Sequence, residues 1–178
     1  PEFDMGHCKA YSADNLRRDE GSAFAVVTDP VLPTRHDHIQ FLTGMHMAGQ
    51  IDLIDHEIAY WPPFGRNTMV LFYEKPSGGR VVLGEGKKPI IDEHDISTVV
   101  VEPIIGVLQA FADKGLAHRN IRAGNLFFGD PLRQKVVLGD CCAAPPGYSQ
   151  PLVYETTARM SADIAGRGAG TPADDLYA

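Results

Sequence analysis

One apolar stripe at helical spacing runs through the second half of the chain and leads directly into two short strand-like segments. Gly115 stands where a helix carrying that stripe would end. The strand-like segments cover residues 126–128 and 136–138, with a Gly-Asp-Pro turn at 129–131 between them. The second half of the chain is therefore predicted to form a helix followed by a small hairpin. The stripe consists of Val100, Ile104, Val107, Leu108 and Phe111.

The first half of the chain is dominated by short β-type segments. The patterns predict strands over residues 24–27, 56–60 and 68–73, the last being rich in aromatic and branched side chains. One helix is predicted over about 35–49, with Gly49 as its stop. Residues 143–172 are rich in Pro, Gly, Ala and Ser and show no firm periodicity, which is typical of a functional or a mobile loop.

Composition and charge exclude several classes of protein. The chain has 178 residues, of which 44% are hydrophobic, so it is too apolar to be disordered throughout. It carries 16 Lys and Arg against 23 Asp and Glu, a net charge of −7, which argues against a nucleic acid partner. No stretch reaches the roughly 18 uninterrupted apolar residues of a membrane helix, so we expect no membrane segment in this chain.

The cysteines and the first residues indicate the setting of the chain. Cys8, Cys141 and Cys142 are an odd set with one adjacent pair, which is not a disulfide framework. We therefore expect a reducing, cytoplasmic location. Residues 1–4 precede Met5 and look like a vector remnant, and residues 5–21 form an N-terminal segment with little pattern.

Residues 118–127, with the sequence HRNIRAGNLF, resemble the catalytic loop of protein kinases. The segment VLGDCC at 137–142 is similar to the kinase strand and D-F-G motif. The segment TPADDLYA at 171–178 is similar to the start of the helix that follows the activation segment. The segment LFYEKPSGG at 71–79 resembles the last N-lobe strand and the hinge.

The resemblance covers about residues 22–178 and implies a protein kinase-like α+β fold. It predicts a reduced antiparallel N-lobe at 22–75 and a truncated, mainly helical C-lobe at 76–178. Within that C-lobe, 118–127 would be the catalytic-loop-like part, 140–142 the D-F-G-like part and 143–173 the activation-segment-like part. The bacterial pseudokinases are the nearest group that this resemblance suggests.

Several departures from the kinase pattern indicate a degraded catalytic site. The aspartate that accepts the substrate proton is replaced by Asn120, whose amide cannot take a proton. Thr28 stands where the kinase strand has its phosphate-binding Lys, and the predicted helix after it contains no Glu. The glycine-rich loop is reduced to Gly21, and Cys141 and Cys142 replace the Phe and Gly of D-F-G.

The remaining matches assign roles by resemblance. Asn125 and Asp140 match the two metal-binding positions, although both could instead hold the loop backbone by hydrogen bonds. Glu74 and Lys75 match the hinge that would hold adenine. His118, Arg119 and Asp175 match residues that brace the catalytic loop. We expect no cofactor to be required, with ATP and Mg²⁺ as the alternative. The residues to which these matches assign a role are Glu74, Lys75, His118, Arg119, Asn125, Asp140 and Asp175.

The sequence therefore predicts a pseudokinase domain that is not an active enzyme and acts as a regulatory module, through a protein partner or self-association. Residues 61–64 and 143–154 are candidate contact surfaces, or else rigid loops packed on their own domain. One alternative is an atypical ATP- and Mg²⁺-dependent kinase-like enzyme that uses Asp140 with a displaced base, Asp130 or Asp163. Another is a structural fragment of a larger multidomain protein, because the chain ends where a central C-lobe helix should begin.

Overall fold

The computed structural model describes residues 7–14, 22–81, 91 and 95–178. The predicted vector remnant at 1–4 lies outside the described residues, and so does Gly21, the one glycine left at the position of the glycine-rich loop. The chain divides into two units. The first unit holds Pro1–His46, Asp52–Lys75 and Cys141–Pro145, and the second holds Met47–Ile51, Pro76–Asp140 and Pro146–Ala178.

A four-stranded antiparallel sheet forms most of the first unit. Its strands are β1 (Lys9–Asp14), β2 (Ser22–Val27), β3 (Leu53–Trp61) and β4 (Arg66–Glu74), in the order β1-β2-β4-β3. Strand β2 is buried along nearly its whole length because it lies between two neighbours and carries small and branched side chains. The sheet therefore takes in Lys9–Asp14 as well, a segment whose polar sequence gave no strand signal.

The helix α1 of the first unit is short. It covers His36–Leu42 and buries Ile39 and Leu42, whereas the sequence pattern predicts a helix to about 49. The helix ends early because Gly44 has a positive φ of 71°, and because the Thr43 hydroxyl donates to the Ile39 carbonyl at 2.7 Å. Just before the helix, the Arg35 guanidinium donates to the Cys141 carbonyl at 2.9 Å.

The second unit contains the stripe-bearing helix and a small sheet. Helix α2 covers Glu102–Ala112, preceded by a π-type turn at Ile96–Val101, and Pro103 stands at its start, where a missing N–H costs nothing. Strands β5 (Gly79–Arg80), β6 (Leu126–Phe128) and β7 (Val136–Leu138) form an antiparallel sheet in that order. The predicted hairpin at 126–138 is confirmed.

The activation-segment-like region is a series of short helical turns. Two of them are the helices α3 (Pro146–Ser149) and α4 (Thr157–Met160), and the helix α5 (Pro172–Tyr177) follows the region. Two others are 3-10 turns at Leu152–Tyr154 and Ile164–Arg167. Within the described part of the chain, no helix has the length and apolar character needed to cross a membrane.

Candidate functional site

The backbone of the catalytic-loop-like segment is held by a carboxylate from the last helix. A capping box starts α5: the Asp174 carboxylate accepts from the Thr171 backbone N–H at 2.7 Å. That start places Asp175 in the first turn, buried. Its carboxylate accepts the backbone N–H groups of His118 at 2.5 Å and Arg119 at 2.8 Å. Asp175 thus connects the last helix to His118 and Arg119, which lie 57 and 56 positions earlier in the sequence.

The His118 ring is a fully buried structural element. Its Nδ1 accepts from the Asn120 backbone N–H at 3.3 Å, so Nε2 carries the proton and donates to the Gln50 side-chain oxygen at 3.1 Å. Gln50 in turn donates to the Gly139 carbonyl at 2.8 Å. The Phe111 ring of α2 packs edge-on against the imidazole, with 5.4 Å between the two ring centroids. With both nitrogens used, His118 orients the loop and has no lone pair free for chemistry.

Both ends of the Asn120 amide are used within the loop. Its nitrogen donates to the Asp140 carbonyl at 2.6 Å, and its oxygen accepts from Arg122 Nε at 2.9 Å. Asn125 adds two further bonds from its amide nitrogen, to the Asn120 carbonyl at 2.8 Å and to the Asp140 carbonyl at 3.1 Å. Asn120 is completely buried, and Asn125 and Asp140 are 1% exposed. The two asparagines therefore tie the loop to the segment after β7.

A buried ion pair joins the loop to the activation-segment-like region. Arg119 Nη2 lies 2.6 Å from Glu155 Oε2, and both side chains are completely buried. Arg119 has a left-handed φ of 57°. Gly170 packs so closely that a Cβ there would overlap Arg119 Nε. Three atoms of the pair have no hydrogen-bond partner among the described residues: Arg119 Nε, Arg119 Nη1 and Glu155 Oε1.

The Arg122 guanidinium lies under opposing electrostatic influences. Burial lowers its pKa, the positive charge of Arg80 lowers it further, and Asp140 and Tyr154 act in the opposite direction. The net result is an Arg122 pKa below the ordinary value. Asp140 therefore lies near enough to Arg122 for its carboxylate to attract the guanidinium.

The fit of this cluster to Mg²⁺ is partial. The Asn125 side-chain oxygen has no hydrogen-bond partner among the described residues, as a ligand oxygen would before an ion binds. That oxygen packs against Gly139, however, where an added Cβ would overlap it, so Asn125 as placed serves the loop. The Asp140 carboxylate remains the candidate ligand. In the described part of the chain, no three His, Cys, Asp or Glu side chains cluster as around a metal.

The other predicted site residues lie in the first unit and are described there. Thr28 directly follows β2 and is buried, with its hydroxyl 3.2 Å from the Thr68 hydroxyl and 3.1 Å from the Met69 carbonyl. Glu74 ends β4, and its N–H donates to the Asp52 carbonyl at 3.0 Å. The Lys75 N–H donates to the Ser22 carbonyl at 3.0 Å. The amides of Glu74 and Lys75 are therefore used within the sheet.

The two displaced-base candidates have structural settings of their own. The Asp130 carboxylate accepts the backbone N–H groups of Gln134 at 3.1 Å and Lys135 at 2.8 Å, which shapes the β6–β7 turn. Asp163 is exposed at the start of the 3-10 turn Ile164–Arg167. Neither aspartate has a hydrogen bond to the catalytic-loop-like segment among the described residues.

Sequence reasoning missed Gln50, Arg80 and Glu155 as members of this site. Glu155 had one usable signal, since it is the single charged residue between 143 and 158. A lone charge in an apolar stretch needs a counterion once the stretch is buried. Gln50 and Arg80 gave no such signal, because they lie far from the loop in sequence.

Comparison with solved structures identifies the fold. The Drosophila melanogaster PAN3 pseudokinase matches with a TM-score of 0.58 at 15% identity, covering 81% of this chain and 38% of that one. The kinase Rad53, as a 1–466 fragment in complex with AMP-PNP, matches with a TM-score of 0.60 at 13% identity, covering 85% of this chain. The chain spans 38% of the length of each structure. No protein-family model and no curated protein matches it. From these matches and the sheet and loop described above, the chain has a protein kinase-like fold.

Proposed function

We propose that this chain is a pseudokinase-type domain that acts by protein binding and does not transfer phosphate. The observation that carries the proposal is the Asn120 amide, which occupies the position matching the kinase catalytic aspartate. Its nitrogen and oxygen are committed to the Asp140 carbonyl and to Arg122 Nε. A neutral amide in that network can neither accept the substrate proton nor turn toward a substrate without breaking two buried hydrogen bonds.

The size of the loss supports the proposal. Removal of a general base typically lowers a rate by about 10² to 10⁴. Thr28, at the position assigned to the phosphate-binding Lys, supplies no charge and has its hydroxyl bonded to Thr68 and Met69. Loss of that electrostatic stabilisation costs a further factor of about 10² to 10³. Together these losses leave too little transfer to serve a signalling enzyme.

Phosphate transfer from radiolabelled ATP tests the proposal. The chain is incubated with ATP and Mg²⁺ or Mn²⁺, alone and with general protein acceptors, next to its Asp140→Ala variant and an active kinase as positive control. We expect label incorporation by the wild type to equal that of the variant and of a protein-free blank. Incorporation by the wild type that disappears in Asp140→Ala would refute the proposal.

A protein-binding role is supported by the surface of the activation-segment-like region. The buried Arg119–Glu155 pair anchors this region. Val153, in contrast, is 77% exposed. We infer that the exposed apolar side chains of this anchored segment provide the contact surface. Sedimentation velocity of the wild type and of Val153→Asp would show whether a second copy binds this face. The exposed apolar residues here are Tyr148, Leu152, Val153, Met160 and Ile164.

The second candidate function is an ATP-dependent enzyme that uses Asp140. The observation that favours it is the kinase-like neighbour in complex with AMP-PNP. A thermal-shift titration with AMP-PNP and Mg²⁺ tests it, because saturation at about 100 times Kd stabilises the folded state by about 2.7 kcal/mol. A rise in Tm that Asp140→Ala abolishes would favour this candidate. An unchanged Tm in both proteins would favour the non-enzymatic one.

A further inference from the structure

Three branched apolar side chains are exposed along the outer side of the helix α2 and of the π-type turn before it. Ile96, Val101 and Ile105 are between 38% and 52% exposed. The Glu102 N–H donates to the carbonyl of Ser97, five residues earlier, so this turn holds one residue more than an α-helical turn. The extra residue keeps Ile96 and Val101 on one side of the chain, and Ile105 follows one α-helical turn later. These three residues form the outer ridge of α2.

Gly106 lies beside the outer ridge, in the middle of α2, where its own fold does not require a glycine. A glycine inside a helix makes the helix less stable than an alanine would. Every other described glycine has a positive φ or would bring a Cβ within 4 Å of a neighbour. A Cβ at Gly106 would meet nothing within 4 Å. The missing side chain therefore leaves room for a second backbone to approach α2 closely.

Opposite charges stand at the two ends of the row that contains Gly106. Residues four apart form one row on a helix surface, and this row runs from Glu102 through Gly106 and Ala110 to Lys114, in the turn that ends the helix. Both charged residues are exposed, and neither makes an ion pair with a described residue. Asp113, next to Lys114, accepts a hydrogen bond within its own helix. The row thus offers one unpaired charge of each sign around two small residues.

We propose that α2 is the contact of a homodimer, in which it packs antiparallel against the α2 of a second copy of this chain. A two-fold axis at the middle of the row pairs Gly106 with the Ala110 of the second copy, and Glu102 with its Lys114, at both ends of the contact. A parallel arrangement would place like charges together, so the charges favour the antiparallel one. The outer ridge is covered on the flank of this contact.

This inference goes beyond the proposed function, because the contact involves no residue of the catalytic-loop-like segment. It holds whether or not the chain transfers phosphate, and the label-transfer assay and the assay of the dimer can fail independently. It also gives the exposed face of α2 a definite occupant, a second copy, whose own row carries the complementary charges.

Sedimentation equilibrium of the full chain tests the contact. A single pair of helices buries less than the standard interface of about 1,600 Å², so we expect a weak dimer and use loading concentrations up to about 0.5 mM. Ile105→Asp should raise the dissociation constant by about tenfold or more, because it places a charge against the contact. Ile58→Asp is the matched control, since Ile58 is an exposed isoleucine on β3, and it should leave the dissociation constant unchanged. A wild type that stays monomeric over the whole range would overturn the inference.

Exchange of the two charges tests the antiparallel arrangement. Glu102→Lys and Lys114→Glu should each raise the dissociation constant by about fivefold to tenfold, because each variant creates like-charge pairs at both ends of its own dimer. An equimolar mixture of the two variants should associate nearly as tightly as the wild type, since every lysine then faces a glutamate. If the mixture associates no more tightly than either variant alone, while circular dichroism shows both to be folded, the proposed contact is wrong.

Val153→Asp distinguishes this contact from the exposed surface of the activation-segment-like region. The variant should dimerise like the wild type, which leaves that surface for a different protein partner. If Val153→Asp dissociates the dimer and Ile105→Asp does not, the second copy binds the activation-segment-like region instead of α2, and the inference is overturned.

Discussion

The Asn120 side-chain amide lies at the centre of the buried hydrogen bonds of this loop. The Asn120 nitrogen donates to the Asp140 carbonyl at 2.6 Å, and Asn125 donates to the same oxygen at 3.1 Å. An aspartate at 120 would place a carboxylate against a carbonyl oxygen, with no proton between them. The hydrogen bonds at the centre of the loop therefore depend on the Asn120 amide nitrogen as a donor.

Asn120→Asp should therefore destabilise the fold. We expect the free energy of unfolding to fall by about 1–3 kcal/mol at neutral pH, because a buried donor is lost and two acceptors face each other. Urea unfolding measures the change. Asn67→Asp, at an exposed position on β4, is the control and should stay within about 0.5 kcal/mol of the wild type. Equal stability of Asn120→Asp and this control would contradict the hydrogen-bond assignment.

Asp174 gives the molecule a pH-dependent contribution to stability. Burial raises its pKa, but hydrogen bonds from Thr171 and Thr156, with the charge of Arg159, outweigh burial and leave the pKa lowered. A carboxyl group whose folded-state pKa is lowered stabilises the fold above its unfolded-state pKa. That contribution is lost as the pH falls through the folded-state value.

Asp174→Asn should reduce the free energy of unfolding by about 1 kcal/mol at pH 7, the size of a lost helix cap. The difference from the wild type should shrink as the pH is lowered below the ordinary aspartate range, because protonation removes the same interaction from the wild type. Urea unfolding between neutral and acid pH checks this. A difference that stays constant over that range would contradict the role of the Asp174 charge.

The Arg119–Glu155 pair is the connection between the loop and the region that follows it. Both side chains are completely buried, so removal of one charge leaves the other buried and unpaired. Glu155→Gln should lower the free energy of unfolding by about 3–5 kcal/mol. Glu57→Gln, at an exposed position on β3, is its control. Replacing both partners, by Arg119→Met and Glu155→Leu, should recover much of the loss.

Calorimetry or urea unfolding of these variants checks the prediction. A cost of Glu155→Gln no larger than that of Glu57→Gln would mean that the ion pair does not form as described. If the double variant is less stable than Glu155→Gln, the ion pair itself adds to the free energy of unfolding, beyond the cost of leaving one buried charge unpaired.

Gly44 and Gly170 have similar backbone angles but different surroundings, so substituting each of them distinguishes backbone strain from close packing. Gly170 has φ of 77° and Gly44 has φ of 71°, but a Cβ at Gly44 meets nothing within 4 Å, whereas one at Gly170 overlaps Arg119. Gly44→Ala should cost about 1 kcal/mol for the left-handed backbone alone. Gly170→Ala should cost clearly more, as measured by the shift in urea midpoint. Equal costs would mean that Gly170 does not pack on the arginine.

Local sequence patterns predict some helices and strands of this chain well and others poorly. The hairpin at 126–138 and the strand at 68–73 were found because their apolar runs end in strong turn signals. The helix predicted to 49 stops at Leu42, since Gly44 and the Thr43 hydroxyl end it before its apolar spacing does. Strand β1 gave no alternating pattern because it lies at the edge of the sheet, where Lys9, Tyr11 and Ser12 are exposed.

At the scale of the whole molecule, the kinase-like fold was predictable from four short motifs in the correct order. The order of motifs carries topological information that no single motif has. The resemblance names Asp175 among the residues that brace the loop, but it gives no indication of Gln50 and Glu155, which reach the loop from distant segments. Such contacts depend on the tertiary packing of several elements, which local sequence does not encode.

The most direct test of a kinase-like domain without phosphotransfer is the rate of label transfer from ATP with Mg²⁺, measured for the wild type and for Asp140→Ala over a long incubation. We expect the same rate for both proteins, equal to the protein-free blank. A wild-type rate above the blank that Asp140→Ala abolishes would instead assign the chain a working catalytic site and rule out a domain without phosphotransfer.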